Sequence, residues 1–150
     1  MKISRFDLPG TNGGVKIGFV DLKDNQMLDA ATVLGRMGIR DPLERAVDIV
    51  AYNVEKSGAL SEGIGDLSSY DAPRWPLDDV RLLAPIESGS LKDFIAFEQH
   101  ISTVRKNRGA EVPPEWYEMP VYYKGNHRSL MGHEAQLTWP CYSNQMDYEL

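Results

Sequence analysis

The sequence predicts a mixed α+β protein, a small N-terminal α/β region followed by a second region richer in short strands. Three observations carry this expectation. Short alternating segments flanked by glycine and proline stand near both ends, two long segments have helical periodicity and capping residues, and the composition changes near residue 60. At 150 residues with 42% hydrophobic content the chain is long enough to bury a core, as one domain or one small domain plus part of another.

The first strands are read at Lys2 to Phe6 and Val15 to Val20, joined through Pro9-Gly10 and Asn12-Gly13-Gly14, whose glycines accept positive φ in a turn. A short helix is expected from Leu28 to Met37, stopped by Gly38 at a left-handed C-cap position. The segment DPLERAVDIVAYNVEKSG then predicts a helix over 42–56. Asp41 is its N-cap, Pro42 its first residue, Glu44 the partner in a capping box, and Leu43, Val47, Val50 and Val54 its apolar stripe. Between Gly58 and Asp79 the residues are mostly Gly, Ser, Asp and Pro around Tyr70 and Trp75, the pattern of a linker. An apolar strand resumes at Val80 to Ala84. The expected division is therefore 1–79, with the linker from about 58, and 80–150.

In the second region, SLKDFIAFEQHISTVRKNRG predicts one helix from Ser90 to Arg108. Ser90 and Asp93 form its capping box, Leu91, Phe94, Ile95, Ile101 and Val104 its buried stripe, and Arg105, Lys106 and Arg108 its basic end before Gly109. On such a helix Asp93 and His100, seven residues apart, lie two turns apart on one side. A carboxylate and an imidazole could then face one cavity, although on spacing alone such an Asp is more often a capping residue and such a His a core or boundary residue. Beyond it, VPPEWYEMPVYYKGNHRS predicts a strand over Met119 to Tyr123, with Val121 and Tyr123 on one face and Tyr122 and Lys124 on the other. GHEAQLTWP predicts another short strand and MDYEL the start of a third. His127 and His133 are read as rim or surface residues.

Charge and cysteine content narrow the function classes. A net charge of -6 and a pI near 5.0 supply no basic field for a phosphate backbone, so nucleic acid is not the expected partner. Neither a signal peptide nor an apolar run of about 18 residues is visible, so no membrane association is expected and the location is read as cytoplasmic. Cys141 is the single cysteine, which excludes an internal disulfide framework and suits a reducing compartment.

The order RLLAPI, DFIAFEQH, PPEWYEMPVYYKGN, SLMGHEAQLTWP and MDYEL resembles the opening of the catalytic domain in the fumarylacetoacetate hydrolase family, over residues 80–150. That resemblance implies a mixed β fold around a divalent metal, Mg²⁺ foremost with Ca²⁺ or Mn²⁺ as alternatives, which chelates a 2-oxo or 1,3-dioxo acid. It implies hydrolysis of carbon-carbon bonds in fumarylacetoacetate or acylpyruvate substrates, within the catabolism of aromatic compounds. Isomerase, hydratase or decarboxylase chemistry on the same scaffold is the alternative. By position, Asp93 and Glu149 match metal ligands, His100 the base that activates water, and Tyr123 and Lys124 the strand end that contacts substrate. A homodimer is also implied, since members are commonly dimers.

The chain departs from the family pattern at Ile95, where the hydrolase branch carries a tyrosine. Thr103 likewise stands where smaller members carry a glutamate, and Arg108 is one place out of register with a substrate-binding arginine. Glu149 would be the first member of a Glu-x-Glu pair completed after Leu150, so the 150 residues are expected to be a truncation, inactive alone or acting as a non-catalytic module.

Overall fold

The computed structural model describes residues 1–146. They divide into two compact units. The first is Met1–Ile86 together with the chain from Met131 onward, and the second is Glu87–Leu130. Both helices and antiparallel strands are present, in agreement with the expected α+β class. Among the described residues no helix is long and apolar enough to cross a membrane.

The first unit is built on a five-stranded sheet. Strands β1 (Ile3–Asp7) and β2 (Lys16–Asp21) form the expected antiparallel pair, with Ile3 opposite Phe19 and Phe6 opposite Lys16. Gly10 and Gly14 in their connection have φ of +77° and +67°, the conformation that glycine adopts without a Cβ clash. A tight turn leads into β3 (Gln26–Asp29), where the Asp21 carboxylate accepts from the amides of Lys23 and Asp24 at 3.0 and 3.4 Å. The expected helix begins two residues later than the sequence suggests, because Leu28 belongs to this strand. Met27 and Leu28 are both fully buried and point to opposite faces, so β3 shows no alternation by which a strand is recognised. Strands β4 (Arg74–Pro76) and β5 (Arg81–Leu82) complete the order β4-β3-β2-β1-β5, antiparallel throughout.

Helix α1 (Ala30–Arg36) starts at Asp29, whose Oδ2 accepts from the Thr32 amide at 2.8 Å and from its hydroxyl at 2.7 Å. It ends as expected at Gly38, which sits at φ +80° while Ile39 N donates to Leu34 O at 3.0 Å. Helix α2 spans Ala46–Glu55, shorter than expected. The capping carboxylate is Asp48 rather than Glu44: its Oδ2 accepts from the Arg45 amide at 3.0 Å while its Oδ1 meets the Arg45 guanidinium at 2.6 Å. These Arg45 hydrogen bonds hold Asp48 below the usual carboxylate range. The apolar stripe is also displaced. Ala46 and Ile49 are buried, whereas Val54 is 71% exposed, so packing against the sheet chose a face that the valines do not mark.

The stretch 58–79 contributes α3 (Ala59–Gly63), two 3-10 turns and β4 to this unit. Asn53 Oδ1 ties α3 to α2 by accepting from the amide and hydroxyl of Ser61 at 2.8 and 3.1 Å. One face of the sheet and the three helices enclose Phe19, Leu28, Val33, Leu34, Ile49, Leu60 and Ile64. The other face buries Phe6 and Met27 beneath Trp75, with the Phe6 and Trp75 rings 5.3 Å apart. Removing each such side chain from water contributes roughly 1.5–3 kcal/mol.

Gly18 lets the face of Met27 pack closely. A Cβ there would lie 2.6 Å from Met27 Cγ and 2.9 Å from Leu28 O. Gly18→Val is therefore expected to lower stability by about 1–3 kcal/mol through overpacking, whereas Gly35→Ala, in open space on α1, raises it by about 0.5–1 kcal/mol. Urea unfolding of the two variants beside the wild type checks both signs.

Candidate active site

Asp93, His100, Tyr123 and Lys124 all lie in the second unit. It contains β6 (Leu91–Phe94), α4 (Glu98–Asn107), α5 (Glu115–Glu118) and β7 (Tyr122–Gly125). The single helix expected from Ser90 does not form, since residues 91–94 pair as a strand with β7 and the helix starts only after Phe97. The reason is cross-strand packing. Phe94 lies directly opposite Tyr122 with ring centroids 5.1 Å apart, and the Lys92 ammonium sits 4.9 Å over the Tyr122 ring. Such pairs outweigh the helical propensity of a short capping sequence. The strand after it is shifted too: Met119 terminates α5 instead of opening β7.

This pairing sets the geometry of the candidate residues. Asp93 is directly opposite Tyr123, and side chains at paired positions of an antiparallel ribbon share a face. Carboxylate and phenol therefore project side by side. On the same face Leu91 lies over Gly125, where an added Cβ would come within 2.7 Å of the leucine Cδ2. Lys124 is opposite Lys92 on the other face with Tyr122, so Tyr123 and Lys124 do not share a face, as the alternation predicts.

His100 occupies the third position of α4. It is exposed, while its neighbour Ile101 is buried and anchors the helix. Its amide donates to Phe97 O at 3.1 Å in the first turn. Asp93 and His100 thus stand on different elements joined by Ile95, Ala96 and Phe97, and the two-turn relation on one helix does not arise. Among the described residues neither side chain has a hydrogen-bond or ion-pair partner.

Three further residues frame this junction. The half-buried Trp116 donates from Nε1 to Ile95 O at 2.8 Å, and its ring meets Tyr117 edge-on at 4.9 Å. Tyr117 Oη donates to Glu98 Oε1 at 2.8 Å. That hydrogen bond to the carboxylate raises the Tyr117 pKa above the ordinary tyrosine value, with burial and the negative charge adding in the same direction. Nineteen residues separate Tyr117 from Glu98, so spacing gives no hint of the contact. The detectable signal was the indole N–H of Trp116, which seeks an acceptor once partly buried.

For a hard divalent cation, which takes six or more oxygens, the described residues offer Asp93 as an exposed, unpartnered carboxylate. No group of three His, Cys, Asp or Glu side chains comes together among the described residues, so these alone do not fit a closed cation site. Glu149 lies outside the described residues. The short strand expected within 132–140 does not form. Residues 132–140 pair with no strand among the described residues, and Leu137 and Trp139 are exposed. His127 is half-buried in a 3-10 turn, and His133, in the first unit, lies 3.5 Å from Glu134 on the surface.

Residues 90–150 match the family described as fumarylacetoacetate (FAA) hydrolase C-terminal. Over these residues the chain is similar to the fumarylacetoacetate hydrolase family. The match covers β6, the helix of His100, β7 and the residues up to Leu150, and it supports hydrolase- or isomerase-like chemistry of that superfamily. No curated protein matches the chain.

The Tyr117–Glu98 contact predicts a titration. A phenol whose folded pKa is raised adds stability that is complete below the unfolded value, about 10, and is lost as pH rises through the folded one. In phenolate absorbance, with Tyr117→Phe subtracted, this tyrosine should ionise at higher pH than in the unfolded chain, and Glu98→Gln should bring it down. Ionisation at the same pH in both proteins would contradict the contact.

Proposed function

We propose that this protein is a metal-dependent hydrolase that cleaves a carbon-carbon bond in 2-oxo or 1,3-dioxo acids of the acylpyruvate or fumarylacetoacetate type. The observation that carries the reading is the family match over the same residues that set Asp93 beside Tyr123 and put His100 on the next helix. Asp93 is the described residue that would hold a hard cation, Mg²⁺ foremost, with Glu149 as its proposed companion. Bound there, the ion would supply Lewis acidity to a dioxo unit.

The remaining roles follow from this chain's own groups. The exposed His100 ring, whose imidazole nitrogen carries a lone pair, is the group to take a proton from water. The water oxygen attacks the carbonyl carbon and becomes the new carboxylate's oxygen. The carbon on the other side of the broken bond keeps the electron pair and takes a proton. Tyr123, adjacent to Asp93, would orient the acid by hydrogen bonding from its phenol, and Lys124 would answer the negative charge of a substrate reaching the other side of the strand.

Turnover of an acylpyruvate, followed by loss of its enolic absorbance and by product analysis, tests the assignment. Expected are two carboxylic or oxo-acid fragments, inhibition by chelator, and a loss of about 10²- to 10⁴-fold in kcat for His100→Ala. Products that retain the whole carbon skeleton would replace the hydrolase with an isomerase or hydratase, and an unaffected His100→Ala would remove the base from this position.

A further inference from the structure

We propose that Trp116 and Tyr117 are positioning residues that fix the three-residue junction between the strand of Asp93 and the helix of His100. The inference rests on the reading of Asp93 as the cation-holding carboxylate and His100 as the base of one site. Ile95, Ala96 and Phe97 link the two elements, and the dihedrals of this link decide where His100 stands relative to Asp93. Left unrestrained, a link of this length samples many conformations.

Both sides of Ile95 are held by the segment that follows α4. Its amide donates to Val121 O at 3.1 Å, and its carbonyl accepts from Trp116 Nε1 at 2.8 Å. One residue past the link, Glu98 accepts from Tyr117 at 2.8 Å in the first turn of α4. The two donors are consecutive in α5, which is closed by Trp116 N to Pro113 O and Tyr117 N to Pro114 O, each at 3.0 Å. Their rings meet at an interplanar angle of 88°, so the indole N–H and the phenol O–H leave a short, rigid element in fixed directions. Glu98 precedes His100 by two residues, roughly 200° around the helix. Tyr117 therefore acts on the start of the helix and not on the imidazole.

The test combines amide exchange with kinetics on the full chain. Trp116→Phe keeps an aromatic ring without the donor, and Tyr117→Phe removes only the hydroxyl. Each should speed exchange at Ile95, His100 and Ile101 by up to about tenfold, the scale of one hydrogen bond, with the amides of β2 unchanged as the internal reference. On an acylpyruvate, kcat should fall in step while KM stays within about twofold. Glu98→Gln retains an acceptor and should keep wild-type exchange, whereas Glu98→Ala should not. Unchanged exchange in both aromatic variants would overturn the clamp. Turnover that vanishes in His100→Ala but survives at full kcat in Trp116→Phe would overturn the positioning role and leave the function standing. Faster exchange in variants of a protein that turns over no 2-oxo acid would retire the function and leave the clamp.

Discussion

The pairing of β6 with β7 is the constraint on which the candidate site depends. A two-stranded ribbon is marginal by itself in water, so its register has to be held by side chains. Here Phe94 against Tyr122 and the Lys92 ammonium above that ring hold it on one face, and Leu91 lying over the bare Cα of Gly125 holds it on the other. A slip by one residue would turn Asp93 to the face of Tyr122 and Lys124 and away from Tyr123. The same pairing consumes residues that would otherwise start a helix, and so decides that acid and base reside on separate elements.

In the first unit the comparable constraint is steric. Strand β2 runs through the middle of the sheet with Phe19 turned to the helices and Gly18 turned to Met27, and both Phe19 and Met27 are fully buried. Phe6 and Trp75 come within 5.3 Å although their strands are separated in the sheet by β2 and β3, a distance of roughly 14 Å for a flat sheet at 4.8 Å per strand. The sheet therefore curls over that face, and a side chain at 18 would stand in the space the curl removes.

Much of the first unit was legible because its signals are local. The β1–β2 pair showed alternation and turn glycines, and Gly38 marked the end of α1 through a conformation that needs glycine. The strand β3 was not legible, since burial of both Met27 and Leu28 erases the period that distinguishes strand from helix. In the second unit the capping pair Ser90 and Asp93 gave a false helix start because cross-strand pairing with residues some thirty positions away outweighed it. The opposite faces of Tyr123 and Lys124 were readable from alternation alone. The neighbours Asp93 and Tyr123 were not, because register between distant strands leaves no trace in local spacing.

The physical consequence of a strand acid and a helix base is a division of demands. A carboxylate that is to meet a hard cation benefits from a strand, where the register fixes its direction and a phenol can stand beside it. An imidazole that is to accept a proton benefits from exposure, which His100 has at the start of α4, while the buried Ile101 next to it keeps the helix from turning. Placing both on one helix would tie their separation to the helical rise of 1.5 Å per residue, about 10 Å over seven residues. A strand, a link and a helix release that separation from the helical lattice, and make it depend on whatever holds the link. The indole and phenol hydrogen bonds to Ile95 and Glu98 occupy that place, so the geometry of the proposed chemistry is set by residues that take no part in it.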